Sequence, residues 1–115
     1  GWLDLPALKY AIMLNGVTKL IMAKADVLNS FHQIKAAVAY KRFGKSTSQI
    51  PFEASYEQPK PEYDIIDGWN SSLENVNKDN LPEALSTYIR YLEKQTGVQI
   101  YMVSTGPDRT QIIEM

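Results

Sequence analysis

The chain has no cysteine, a single histidine and no long apolar run, and each scarcity removes a class of chemistry. Without cysteine there are no disulfides, thiolate metal ligands or cysteine nucleophiles, and a reducing compartment, the cytoplasm, is the expected location. His32 stands beside Phe31 with no Ser or Cys partner to activate, and no carboxylate cluster at metal-ligand spacing accompanies it. It reads as a surface or loop histidine, and no metal site is assigned. The longest apolar stretches, YAIML and LIMA, fall far short of the roughly 20 residues of a membrane-spanning helix, so a soluble protein without a membrane partner is expected. A basic excess is also lacking. Lys and Arg number 12 against 13 Asp and Glu, mixed in sign along the chain, so no nucleic-acid partner is expected. The chain opens GWLDLP without Met, and is expected to be a fragment or a processed product.

What is present is an α/β order. The 115 residues suit one domain burying about two-thirds of its unfolded surface. DLPALKYAIMLNG carries helix punctuation, with Asp4 as N-cap, Pro6 in the first turn and Asn15-Gly16 as a left-handed stop. VTKLIMAK reads as a strand, ADVLNS as a polar loop and HQIKAAVAYK as a second strand. Residues 42–69 hold Pro51, Pro59 and Pro61 among scattered Tyr, Phe and Ile, so turns and short antiparallel strands are expected there. A second helix follows, with capping-box spacing at Asn80 and Glu83, one apolar face of Leu81, Leu85, Tyr88, Ile89 and Leu92, and Gly97 at its end. VQIYMVS is a continuous apolar run, as in a strand buried on both faces of a helix-covered sheet. No internal repeat is seen. The order predicts a helix-covered, mostly parallel sheet with a small antiparallel β region in its middle.

In such sheets ligands sit beyond the carboxyl ends of strands, where two polar loops fall. Lys24-Ala25-Asp26 follows the first apolar strand, and Ser104-Thr105-Gly106-Pro107 follows the last. If those strands are neighbours, the loops meet at one rim. Asp26 could then accept hydrogen bonds from N1–H and the exocyclic amine of guanine, the donor pair that adenine lacks. Backbone N–H groups of the Ser104–Gly106 turn would serve the O6 acceptor, with Gly106 permitting close approach. The stem of Lys24 could lie across the base, and Pro107 cover its other face. Such a site would favour GTP over ATP. The plainer alternative is that Asp26 caps a local turn and Gly106 merely bends a loop.

Other signals carry less. Gly44-Lys45-Ser46 is the end of a phosphate-loop motif, but Ala39 occupies a required glycine position and TSQIPF follows where a helix is needed. The acidic pairs Glu53 with Glu57 and Glu62 with Asp64 read as solvated loop charges. Tyr88 reads as core, and Arg109 as a brace to Asp108.

The blocks GWLDLPALKYAIMLNGVTKLIMAKADVL, IKAAVAY, Gly68-Trp69 and YLEKQTGVQIYMVSTGPDRTQII, in this order, resemble the carboxyl-terminal part of the adenylosuccinate synthetase family over nearly the whole of residues 1–115. The resemblance implies a P-loop-like nucleotide-binding fold. It also implies a ligase that joins IMP and L-aspartate into adenylosuccinate on the route to AMP, using GTP and Mg²⁺ and working as a homodimer. The family's guanine loops match Lys24, Ala25, Asp26 and Ser104, Thr105, Gly106, with Ala25 in place of the usual leucine and Ala37 where the family often has cysteine. The phosphate loop, catalytic aspartate and histidine, and arginine-rich loop of the family have no counterpart in these residues. This portion is therefore expected to supply guanine recognition, to bind no Mg²⁺ and to be inactive alone. A reading of a different class is a free-standing interaction domain that uses Pro51–Trp69 as a protein-binding surface.

Overall fold

The computed structural model describes residues 2–42, 45–47, 60–108 and 110–115. Local chemistry sets the helix ends. β1 (Leu3–Asp4) runs into α1 (Leu5–Asn15), whose N-cap Asp4 accepts the Ala7 N–H at 3.0 Å, and Gly16 closes the helix in a left-handed conformation. The second Asp4 carboxylate oxygen accepts the Tyr40 hydroxyl from β3 (Gln33–Arg42), so one side chain both starts the helix and ties it to a strand. That hydrogen bond, with burial and the nearby negative charge, pushes the Tyr40 phenol up from 10.0 to about 12.

The remaining strands are β2 (Lys19–Met22), β4 (Lys45–Thr47), β5 (Lys60–Asp67), β6 (Gln99–Ser104) and β7 (Ile112–Glu114). They form two sheets. In one, β3 is central: β5 runs antiparallel along one edge, and β1 (parallel) and β4 (antiparallel) follow each other along the other. In the other sheet β6 is central, between parallel β2 and antiparallel β7. The fold is mixed α/β, but the pairing is not mostly parallel. Parallel pairs require long crossovers, whereas the short connections from β3 to β4 and from β6 to β7 permit only an antiparallel return. Strand direction leaves no trace in an apolar run. Nor is β6 covered throughout: Ile100 and Val103 are buried, Tyr101 and Met102 half-buried, and Gln99 exposed.

α2 (Glu83–Thr96) joins the two sheets, packing on β5 and on β6 and touching α1. Its face of Leu85, Tyr88, Ile89 and Leu92 is buried, and each such side chain stabilises the fold by about 2 kcal/mol through area removed from water. Gly97 ends it, as the sequence predicts. Its start differs. The capping box lies one turn earlier, where Asn77 and Asn80 bond each other's main chain around the 3₁₀ turn Lys78–Asn80, and α2 begins behind Pro82 with no side-chain cap. Asn80 is thus the return partner of a cap, because a short amide side chain also serves the position three residues after one.

The core draws on nearly every element: Leu5, Ala25, Ile34, Trp69, Leu85 and Val103 belong to one buried cluster. α1 contributes little to it beyond its first turn, and Met13 and Leu14 are exposed.

Candidate functional site

The conditional that the two loops depend on is met by the second sheet. β2 and β6 are parallel neighbours, paired from Lys19 opposite Gln99 to Met22 opposite Val103 with a one-residue shift between Leu20 and Ile21. Both chains therefore leave the sheet at the same end, one into Ala23–Asp26 and the other into Thr105–Pro107. The 3₁₀ turn Ala25–Leu28 packs against β6, which keeps the first loop beside the second strand.

Within the first loop the three residues are held differently. Ala25 is fully buried and anchors the turn in the core. Lys24 is exposed and has φ of 55°, a left-handed conformation that a lysine adopts only at a cost. The half-buried Asp26 carboxylate makes no hydrogen bond or ion pair with any described residue. The turn is closed instead by the main chain, with Val27 N–H donating to Lys24 O at 3.2 Å and Asn29 N–H to Asp26 O at 3.1 Å. Asp26 is not a cap, and the plainer reading of that residue fails.

The second loop is braced from within. Thr105 N–H donates to Gln111 O at 2.8 Å, Gln111 N–H to Asp108 O at 3.0 Å, and Asp108 N–H to Gln111 Oε1 at 2.9 Å. The Ser104 hydroxyl donates to Gly106 O at 3.2 Å. Asp108 accepts the Thr110 N–H and hydroxyl, which hold its carboxyl below the usual carboxylate range. The brace expected from Arg109 lies outside the described residues, and Thr110 serves Asp108 in the structure. Gly106 is not left-handed. A Cβ there would lie 2.3 Å from Gln111 Oε1, so the residue is small because the Gln111 amide lies against it. The Gly106 N–H has no acceptor among the described residues. A main-chain donor left open on a buried residue is rare, and Pro107 beside it has no N–H to offer.

Sequence reasoning missed Gln111, which nothing but its place in the folded loop distinguishes. It also missed Asn29, whose Oδ1 accepts the Trp69 indole N–H at 2.8 Å across 40 residues of chain. A cavity of about 380 Å³ lies behind the first loop, between Trp2, Leu8, Leu20, Met22, Tyr88 and Leu92. It reaches Lys24 and Ala25 but neither Asp26 nor the second loop.

Elsewhere, Lys45 and Ser46 lie in β4 opposite Arg42 and Lys41, in a strand and not at a helix start. Gly44, Glu53 and Glu57 lie outside the described residues. Glu62 accepts the Ser46 hydroxyl and Asp64 the Tyr91 hydroxyl, so both acidic groups have structural partners. Burial and the bond to Asp64 push the Tyr91 phenol up. Among the described residues no three His, Cys, Asp or Glu come together to hold a metal ion, and no helix is long and apolar enough to cross a membrane. Of the surface considered over Pro51–Trp69, residues 51–59 lie outside the described residues, and Trp69, 7% exposed, packs in the core.

Fold and rim together define a mixed α/β protein whose polar loops gather at the carboxyl ends of parallel strands, where such proteins take their ligands. The family model for adenylosuccinate synthetase matches residues 1–113, and the chain belongs to that family. It is 48% identical over 115 residues to the adenylosuccinate synthetase of Bacteroides thetaiotaomicron and 52% identical over 114 residues to that of Porphyromonas gingivalis. It aligns over 99% and 98% of its own length with these relatives, but spans 27% of theirs. The solved structure of fully ligated adenylosuccinate synthetase from Plasmodium falciparum superposes with a TM-score of 0.91 at 30% identity, covering 100% of this chain and 28% of that one.

Proposed function

We propose that these residues are the guanine-recognition part of a GTP-dependent ligase that joins IMP and L-aspartate into adenylosuccinate in purine biosynthesis. Asp26 accepts from guanine N1–H and the exocyclic amine, the Gly106 N–H donates to O6, the Lys24 stem lies over the base, and Pro107 covers the other face. Ser104 and Thr105 shape the turn that aims the Gly106 donor. The observation that carries this reading is the parallel register of β2 and β6, which brings an unpartnered carboxylate and an unpartnered main-chain donor to one rim. Guanine presents the complementary donors and acceptor along one edge, and adenine does not.

Chemistry on phosphate, IMP and aspartate belongs to other parts of the whole protein. Mg²⁺ belongs with those other parts as well. Apolar surface supports the assignment to a larger molecule: Met13, Leu14, Ile21, Val27 and Phe31 are each more than 40% exposed, on α1, on β2 and in the segment that follows β2. A cytoplasmic homodimer accords with the family and with the lack of cysteine.

The test is Asp26→Asn in the complete synthetase. Loss of a charged hydrogen-bond acceptor is expected to lower kcat/KM for GTP about 100-fold, with KM for IMP and for aspartate unchanged. Equal constants for the two enzymes would remove Asp26 from the site.

A further inference from the structure

We infer that Trp69 is a positioning residue for guanine specificity: its indole N–H holds Asn29, and through Asn29 the turn that carries Asp26. The inference rests on the guanine reading above and deepens it.

Asp26 itself has no restraint beyond its main chain, so its carboxylate is only as well placed as the turn beneath it. That turn is anchored at its start by buried Ala25 and at its end by Asn29, whose N–H caps Asp26 O at 3.1 Å. The Asn29 side chain is the one described side-chain tether of the turn to another segment, and its partner is the Trp69 indole at 2.8 Å. Trp69 is 7% exposed, and a buried indole N–H requires an acceptor, so the bond is enforced from the indole side.

The tether is rigid at its far end. The Trp69 ring packs against Tyr88 of α2 with centroids 5.9 Å apart. Gly68 N–H donates to His32 O at 2.8 Å, and a Cβ on Gly68 would lie 2.0 Å from the Phe31 carbonyl oxygen, so Gly68 and Trp69 lie directly against the strand of chain leaving the turn. α2 also fixes the other loop's strand, because Glu93 accepts the Ile100 N–H of β6 at 2.9 Å. One helix thus references both halves of the rim. The first half is reached through Trp69 and Asn29, the second through β6. Loss of the indole bond leaves both loops folded and paired through β2 and β6 but loosens the end of the turn that aims Asp26, and a site that reads one base edge requires that aim.

The experiment uses the complete synthetase with Trp69→Phe, Asn29→Ala and the double variant, measured with GTP and with ITP, whose base lacks the exocyclic amine. Trp69→Phe is expected to raise KM for GTP about five- to tenfold and to narrow the preference for GTP over ITP, with kcat and the KM values for IMP and aspartate within about twofold. Asn29→Ala should do the same, and the double variant should be no worse than either, since both remove one bond. Asp26→Asn runs alongside. If it narrows the GTP preference and Trp69→Phe and Asn29→Ala do not, the positioning role is overturned while the guanine reading stands. If Asp26→Asn has no effect, both are overturned. A variant that only lowers the melting temperature, or raises every KM alike, makes Trp69 a structural residue and overturns the proposal. Should Trp69→Phe fold poorly, Asn29→Ala on the half-buried partner decides the question alone.

Discussion

The two loops at the shared rim are held in place by opposite means. The Lys24–Asp26 turn is fixed from behind, by buried Ala25 and by the tether to Trp69, and leaves a side chain free. The Thr105–Gln111 loop is fixed by its own hydrogen bonds and leaves a main-chain N–H free. A recognition group carried by a side chain is removed by one substitution, whereas one carried by the main chain is lost only when the loop changes shape. Under the proposed guanine reading, the first loop needs a particular residue at its tip, while the second needs a small residue and a well-braced turn.

The largest expected difference between the loops follows directly. Asp26→Asn should lower kcat/KM for GTP about 100-fold, whereas Ser104→Ala, which removes only a hydroxyl bonded to Gly106 O, should cost no more than about threefold. Steady-state kinetics of the complete enzyme check both, and equal losses would erase the distinction. Next in size, Gly106→Ala should raise KM for GTP about tenfold, because the new methyl would lie 2.3 Å from Gln111 Oε1 and the clash shifts the Gly106 N–H. Gly106→Ala combined with Gln111→Ala should recover most of that loss, since the obstruction is a side-chain amide 2.3 Å away and not main chain. No recovery would mean that the main chain itself resists the methyl.

Lys24→Gly sharpens the comparison in another way. Relief of the left-handed lysine should stabilise the fold by about 0.5 kcal/mol in denaturant unfolding while weakening GTP binding a few-fold. A variant that is less stable would show that Lys24 is not strained. The smallest effect on GTP is expected outside both loops. The Tyr40 phenol is raised from 10.0 to about 12, so its bond to Asp4 contributes stability fully present below pH 10 and lost as pH climbs toward 12. Tyr40→Phe should flatten the fall in melting temperature over that window and leave KM for GTP unchanged. An unaltered slope would separate Asp4 from the titration.

Much of this architecture was legible where it depends on neighbours in sequence. The Asp4 cap, the Gly16 and Gly97 stops and the buried face of α2 rest on interactions three or four residues apart, and each was readable. The capping box was misplaced by one turn, because Asn77 and Asn80 are both residue types that serve either end of the motif. The mixed pairing of the sheets was not readable, since parallel and antiparallel strands share the same apolar pattern. In the site, Asp26 and Gly106 stood out as types suited to a guanine edge, but the alternative in which Asp26 caps its own turn fell only when its carboxylate was seen without a partner.

The amino-acid order by itself determined the helices, their ends and the residue types available at two loop tips, because those follow from local hydrogen bonding and periodicity. Tertiary structure alone decided that β2 and β6 lie side by side, that Gln111 fills the space beside Gly106, and that Trp69 reaches back to Asn29. These contacts join segments whose separation in the chain carries no periodic signal, so they are decided only when the strands and loops pack together.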